Sequence, residues 1–62
     1  MCEANAYLDV EGREELILES VDVVEPMEAG GFLLVSIYGN QKTVQAPLKR
    51  MELVNHRLIF GR

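Results

Sequence analysis

Residues 2–10 read Cys2-Glu3-Ala4-Asn5-Ala6-Tyr7-Leu8-Asp9-Val10, with small or apolar side chains at every even position. Alternation with period two is typical of a half-buried β-strand, because successive side chains point to opposite faces. The next residues, Glu11-Gly12-Arg13, have the composition of a turn. The chain is therefore predicted to open with a strand that folds back as a hairpin.

Outward from this hairpin, apolar or alternating runs separated by turn residues predict six further short strands. Their ranges are 14–18, 20–25, 32–38, 41–46, 48–54 and 57–60. Pro26 ends one of them because proline has no backbone donor for a ladder. The run 32–38 is the most continuously apolar, so it is predicted to be the central strand. Gly39-Asn40 is predicted to be a two-residue hairpin connection, since both residues tolerate positive φ.

Pro47 is predicted to break or bend the chain before the strand 48–54. Leu48, Met51 and Leu53 are its predicted inward residues, and the odd step from 48 to 51 predicts a β-bulge. Six or seven short strands at intervals of about 8 to 12 residues are typical of a small barrel or sandwich. Closure into a barrel removes sheet edges. Residues 1–62 are therefore predicted to form one all-β domain, a small SH3-like or Sm-like barrel.

Length and charge limit the classes of function. A domain of 62 residues buries only about 60% of the surface that its unfolded chain exposes. A single cysteine cannot form an internal disulfide, so a homodimer is the expected source of further stability. The sequence shows no signal peptide and no apolar span of about 20 residues, which indicates a cytoplasmic protein with no membrane segment. The net charge of −4 makes nucleic acid an unfavourable partner.

Cys2 is the only cysteine, and it lies one residue from the start of the chain. Its sulfur, a backbone nitrogen and the amine of Met1 can close small chelate rings on one metal ion. One cysteine cannot complete a closed zinc site, which needs four ligands, but a twofold axis brings two thiolates together. Sulfur and nitrogen donors in square-planar geometry suit Ni(II) or Cu(II), and donor chemistry does not choose between them. The alternative is that Cys2 is a small hydrophobic residue that opens the first strand.

The remaining candidate residues carry less chemistry. His56, between Asn55 and Arg57, is predicted to be an exposed turn residue and not a ligand, and Glu3 is predicted to point away from Cys2. No phosphate-binding loop, nucleophile elbow or acid–base pair is recognisable, so no enzymatic activity is predicted. The alternative function is RNA binding by a small barrel. It would use a basic strip and a stacking aromatic, formed by Lys42, Lys49, Arg50, Arg57 and Tyr38.

Several blocks of the sequence together resemble the CooT family of small nickel-binding proteins. The blocks are Met1-Cys2-Glu3-Ala4, Ala6-Tyr7-Leu8, Glu15-Leu16-Ile17-Leu18-Glu19, Val23-Val24-Glu25-Pro26, Ile37-Tyr38-Gly39, Lys42 and Leu53-Val54-Asn55-His56-Arg57-Leu58-Ile59. The resemblance spans nearly the whole chain, and the cysteine at position two is its most specific part. It implies a cytoplasmic homodimer of SH3-like subunits with Cys2 as a Ni(II) ligand. It also implies a metallochaperone role in nickel handling or delivery to a nickel enzyme such as carbon monoxide dehydrogenase.

Overall fold

The computed structural model describes residues 3–62, which form one six-stranded sheet and no helix. The strands are β1 (Ala4–Val10), β2 (Arg13–Pro26), β3 (Phe32–Ser36), β4 (Gln41–Val44), β5 (Leu48–Glu52) and β6 (Arg57–Gly61). Their order is β4-β3-β2-β1-β6-β5, and all neighbours are antiparallel except the parallel pair β1 and β6. The predicted small all-β fold is confirmed. Within residues 3–62, β4 and β5 end the order without pairing to each other, so the barrel is open.

β1 and β2 form the predicted hairpin. Val10 pairs with Arg13, and the two residues between them, Glu11 and Gly12, have φ values of 53° and 87°. Positive φ at both central residues is the property of a type I′ turn, whose twist matches that of the flanking strands. The Asp9 carboxylate accepts a hydrogen bond from the Gly12 amide at 2.9 Å and closes the turn.

β2 corrects the prediction of two separate strands at 14–18 and 20–25, because both ranges belong to one strand of 14 residues. Its pairing with β1 is interrupted around Ser20, whose φ is 55°. A bulge of this kind bends a strand and increases its twist without ending it. β2 can therefore pair with β1 along its first part and with β3 from Val21 to Pro26.

β3 is shorter and less central than predicted. It ends at Ser36 instead of residue 38, and it lies between β2 and the edge strand β4. The buried Ser36 hydroxyl accepts hydrogen bonds from the amides of Tyr38 and Asn40 at 3.2 and 3.1 Å. These bonds draw residues 37–40 into a turn, so the predicted two-residue connection has four residues.

The hydrophobic core draws on five of the six strands. Ala6 is buried, and Ala4 and Leu8 pack against the core, as the even positions of β1 predicted. The rings of Phe32 and Phe60 meet with their centroids 5.4 Å apart and their planes tilted by 55°. The buried members of the core cluster are Ala6, Val21, Leu34, Val44, Leu58 and Phe60.

β5 contains the predicted bulge, because its pairing with β6 shifts register between Leu48 and Arg50. Leu48 packs against the core as predicted. Met51 and Leu53, which were predicted to point inward, are instead largely exposed, by 55% and 73%. Met51 pairs with the buried Leu58, so both face the same side of the sheet. Met51 is nevertheless exposed because β5 is an edge strand and no described strand lies beyond it.

A smaller apolar cluster lies on the opposite, outer face of the sheet. Ile59 is fully buried, but it alternates with the core residues Leu58 and Phe60 and therefore points away from the core. Ile59 pairs with Tyr7, and Tyr7 pairs with Leu16, so the three share the outer face. Four ion pairs at this end of the sheet form what we call the ion-pair cluster, which joins Arg50 and Arg57 to Glu14 and Glu52.

Candidate metal site at the start of the chain

Met1 and Cys2, the predicted metal ligands, lie outside the described residues, so their role stays a prediction. The described chain starts at Glu3, and β1 begins one residue later at Ala4. Two residues span at most about 7 Å of extended chain. The surroundings of Glu3 and Ala4 therefore define the part of this subunit that the predicted ligands can reach.

Two elements flank the start of β1. On one side, Ala4 pairs with Val21 of β2. On the other side, the Asn5 amide donates a hydrogen bond to the His56 carbonyl at 2.9 Å. His56 ends the turn of residues 53–56 that joins β5 to β6. The chain therefore enters the fold between the second half of β2 and this turn.

An open groove of about 310 Å³ lies beside this entry point, and we call it the chain-start groove. Half of the residues that line it are apolar, namely Ala4, Val21, Val24, Leu53 and Leu58. The other lining residues are charged or titratable, namely Glu3, Asp22, Glu52, His56 and Arg57. An apolar lining with a few polar groups is common at binding sites.

Arg57 lines the groove, but two carboxylates balance its positive charge. Its guanidinium donates to Glu52 Oε1 at 3.1 Å and also to Glu14 Oε1, and it lies over the Tyr7 ring at 4.8 Å from the centroid. Arg50 Nε donates to Glu52 Oε2 at 2.7 Å, and this hydrogen bond is the main cause that lowers the pKa of Glu52. Arg57 is therefore held in two ion pairs, and its positive charge is balanced by its carboxylate partners.

The electrostatic balance of the groove favours a cation. The ion-pair cluster contains two positive and two negative side chains, so it contributes no net charge. Glu3 and Asp22 add two further acidic groups to the lining. The carboxylate partners of Arg57 thus offset the repulsion that its charge would exert on a cation, and the acidic groups attract positive ions at long range.

The described residues do not build a metal site on their own. Residues 3–62 contain no group of three or more His, Cys, Asp and Glu side chains placed to hold a metal ion. His56 lies exposed in a turn, as predicted, and its φ is 56°.

The structure does not form the basic strip on which the RNA-binding alternative depends. Lys42 lies on β4, whereas Lys49, Arg50 and Arg57 lie on β5 and β6 at the other end of the strand order. Lys49 is paired with Asp9 at 2.5 Å, and both arginines belong to the ion-pair cluster. The positive side chains are thus separated or balanced by carboxylates.

Sequence reasoning missed the chain-start groove, because its lining comes from segments that are far apart along the chain. These segments are 3–4, 21–24, 52–53 and 56–58. The one local signal was Leu53-Val54, since two exposed apolar residues are uncommon in a tight turn that ordinarily takes small or polar ones.

The fold and the groove define a class of small single-sheet β domains with an open groove beside the start of the first strand. A family model described as CO dehydrogenase accessory protein CooT matches residues 1–60. The chain belongs to the CooT family, which is a family of accessory proteins, and the resemblance drawn from its sequence blocks is confirmed.

A solved structure gives the same result. The chain is 46% identical to a protein from Carboxydothermus hydrogenoformans that is provisionally identified as CooT, and its crystal structure matches with a TM-score of 0.90. The match covers 98% of this chain and 97% of that chain. No match was found among curated proteins. Residues 3–62 contain no helix with the length and hydropathy of a membrane span.

Proposed function

We propose that this protein binds Ni(II) as a homodimer and handles or delivers the ion for a nickel enzyme such as CO dehydrogenase. Membership of a CO dehydrogenase accessory family supports the link to that enzyme. The observation that supports the proposal is that β1 begins at Ala4, beside an open groove whose charged lining residues are mostly acidic. The site requires a reduced thiol, so we infer that the protein acts in the reducing cytoplasm.

Cys2 supplies the soft donor of the proposed site. Its thiolate, with a backbone nitrogen and the amine of Met1, offers the mixed sulfur and nitrogen ligands that suit Ni(II). Glu3 and Asp22 raise the local concentration of cations without serving as ligands. Nickel is the cargo of this site.

A second copy is the proposed occupant of the exposed apolar surface beside the groove. Val24, Met51, Leu53 and Val54 are exposed by 37%, 55%, 73% and 91%. Full burial of one such side chain contributes roughly 1.5–3 kcal/mol, so covering four in each copy gives a strong drive to associate. Because Val24 and Leu53 line the groove that also contains Glu3, a twofold contact there brings the two chain starts together.

Nickel titration followed by absorption spectroscopy tests this proposal. The wild-type protein should develop a thiolate-to-nickel charge-transfer band that saturates at one Ni(II) per two chains. Cys2→Ser keeps the size of the side chain but removes the soft donor, so the band should be absent and the affinity lost. The affinity should also fall as the pH falls, because binding releases the thiol proton. Unchanged nickel affinity in Cys2→Ser would overturn the proposal.

His56→Gln is the matched control. The imidazole lines the same groove and is the only one in the chain, so it is the other side chain that nickel could select. We expect the variant to bind nickel with wild-type affinity and an unaltered spectrum. Loss of binding in His56→Gln with retention in Cys2→Ser would reassign the ligand to the turn.

A further inference from the structure

We propose that the outer face of β2, β3 and β4 is the surface that docks on the nickel enzyme which the protein serves, and that the matching surface of that enzyme is apolar with lysine and arginine around it. This inference rests on the proposed function. It adds the surface and the chemistry of the contact with the enzyme, and none of the residues involved is a proposed nickel ligand.

The first step is the position of the face. Leu34 of β3 is buried in the core, so its neighbours Leu33 and Val35 point to the opposite, outer side of the sheet. Val35 pairs with Val23 of β2, which is 41% exposed. Strand pairing extends this surface to β2 and β4, and we call it the β2–β4 face, formed by Val23, Glu25, Leu33, Val35, Gln41 and Thr43.

The second step is that the apolar side chains of the β2–β4 face are incompletely covered. In the other half of the outer side, next to β1, Ile59 is fully buried. On the β2–β4 face, Val23 is exposed, and Leu33 and Val35 are only half-buried. Apolar side chains that lie together at a surface with polar residues around them often mark a site of protein–protein contact.

The third step is charge. Within residues 3–62, every ion pair joins residues of β1, β5, β6 and the first three residues of β2. Lys42, the one basic residue of β3 and β4, pairs with the buried Leu34 and therefore points to the core side. Those ion pairs include none of the acidic side chains of the segment 19–28, namely Glu19, Asp22, Glu25 and Glu28. The β2–β4 face is thus apolar in a negative surrounding, which favours a partner surface that is apolar and positive.

A second copy is a poor occupant of the β2–β4 face. Two copies would bring Glu25 and the acidic segment of each chain together, and like charges repel. The proposed dimer also uses the other side of the sheet, because Val24 pairs with the buried Leu34 whereas Val23 pairs with Val35. The face therefore stays open in the dimer, and its occupant is the partner of the proposed function, a nickel enzyme such as CO dehydrogenase.

Binding of the full-length protein to purified CO dehydrogenase, followed by biolayer interferometry, tests this assignment. Val23→Asp places a charge within the apolar part of the face, so we expect the affinity to fall by at least about tenfold. Glu25→Lys reverses the charge on the face, so the association rate should fall several-fold and depend less on salt. Both variants should still bind one Ni(II) per two chains, because neither residue lines the chain-start groove.

Two controls match these changes. Leu16→Asp also places an aspartate at a partly exposed apolar position of the outer side, but in the other half, where Leu16 pairs with Tyr7. Glu11→Lys makes the same change of net charge as Glu25→Lys, in the turn between β1 and β2. Both controls should bind CO dehydrogenase with an affinity within about threefold of wild type, as expected of a change outside the contact.

The outcomes are distinguishable. Wild-type affinity in Val23→Asp, an unaltered association rate in Glu25→Lys, or equal losses in the two controls would overturn the inference, and Glu25→Lys decides alone if Val23→Asp does not fold. A Val23→Asp protein that is monomeric by sedimentation would assign the face to a second copy and would also overturn it. So would the absence of any complex between the wild-type protein and CO dehydrogenase. Nickel titration of wild type and Cys2→Ser decides the proposed nickel site separately, because it needs no enzyme.

Discussion

Arg57 belongs both to the outer face, where it lies over Tyr7, and to the lining of the chain-start groove. Its partners Glu14 and Glu52 are carboxylates on two other segments of the chain. Ion pairs between partly exposed side chains contribute about 0–1 kcal/mol each, so the cluster contributes little to the free energy of unfolding. Its larger effect is to keep a positive charge paired beside a groove whose other charged groups are mostly acidic.

Gly31 supports the turn before β3 in a way that alanine cannot. Its φ is 82°, and an added Cβ would clash with the Val44 carbonyl oxygen in β4. We expect Gly31→Ala to lower the free energy of unfolding by about 3 kcal/mol or more, from backbone strain and the clash together. Gly30 has a φ of 102° but open space around it, so Gly30→Ala should cost only about 1 kcal/mol. Urea unfolding measures both, and equal losses would contradict the described contact.

Asp9 predicts a pH dependence of stability. Hydrogen bonds from Lys49 and from the Gly12 amide lower the pKa of Asp9. A carboxyl group whose pKa is lower in the folded than in the unfolded chain contributes stability above its unfolded pKa of about 4, and this contribution is lost as the pH falls through the folded value. Asp9→Asn should therefore lower Tm near neutral pH and make the fall of Tm in acid smaller than in wild type.

Thermal unfolding from about pH 7 down to about pH 2, the range over which carboxyl groups titrate, provides the measurement. Glu28→Gln, in the turn between β2 and β3, is the control and should keep the wild-type profile. A profile of Asp9→Asn that runs parallel to wild type throughout would show that the carboxylate does not contribute in this way.

At the scale of the elements, β6 has buried side chains on both faces of the sheet. Leu58 and Phe60 enter the core, while Ile59 is fully buried on the outer face. A strand with buried side chains on both faces reads as a continuous apolar run, as Leu58-Ile59-Phe60 does. β6 therefore holds the outer cluster and the core together.

Ile59→Ala should be as costly as a core truncation, although Ile59 lies outside the core cluster. We expect a loss of about 2–4 kcal/mol in the free energy of unfolding, because a fully buried side chain is removed and the strands cannot collapse onto the space. Leu16→Ala, at a site that is 50% exposed on the same face, should cost less than about half as much. A loss below about 1 kcal/mol for Ile59→Ala, within the range of an ordinary surface change, would show that the outer cluster is not packed.

The elements also show what the sequence could predict. The alternation of β1 and the turn at Glu11-Gly12 are local patterns, and both were predicted correctly. The continuity of β2 was missed because the pattern placed a break between the strands 14–18 and 20–25, and the bulge at Ser20, with its positive φ and its hydrogen bond to Asn5, is not visible in the sequence. The end of β3 was missed because it depends on which amides the Ser36 hydroxyl accepts from.

The assignment of Met1 and Cys2 as metal ligands stays a prediction, because both lie outside the residues that the structure describes. Cys2 was singled out because a lone thiol at the chain start has recognisable donor chemistry. The groove beside the start of β1 could not be predicted, since the sheet order assembles its lining from several strands and the 53–56 turn. Met51 and Leu53 were predicted to be inward from their pattern, but a pattern does not show that β5 is an uncovered edge.

At the scale of the whole molecule, the domain leaves an apolar surface uncovered outside its buried core. The described chain extends 30 × 28 × 15 Å, and its exposed apolar side chains Met51, Leu53 and Val54 lie at the end of β5 and in the turn that follows. Interfaces of obligate dimers resemble a domain core cut in half. A second copy on this surface would complete the core and bring together two chains that each carry a single cysteine.

Leu53→Asp tests that interface. Leu53 is 73% exposed and lines the chain-start groove, so a charge there should dissociate the proposed dimer and weaken nickel binding at the same time. Tyr38→Asp is the matched control, because Tyr38 is 77% exposed but lies in the turn between β3 and β4. Sedimentation should show a monomer for Leu53→Asp and a dimer for Tyr38→Asp. A dimeric Leu53→Asp would place the interface elsewhere.

The central claim is one shared nickel site built from two copies of Cys2, and native mass spectrometry of the nickel-loaded protein tests it most directly. The account predicts a species of two chains and one Ni(II), and a Cys2→Ser protein that remains two chains without nickel. A nickel ion on a single chain, two ions per dimer, or an equal nickel load on the Cys2→Ser protein would contradict it.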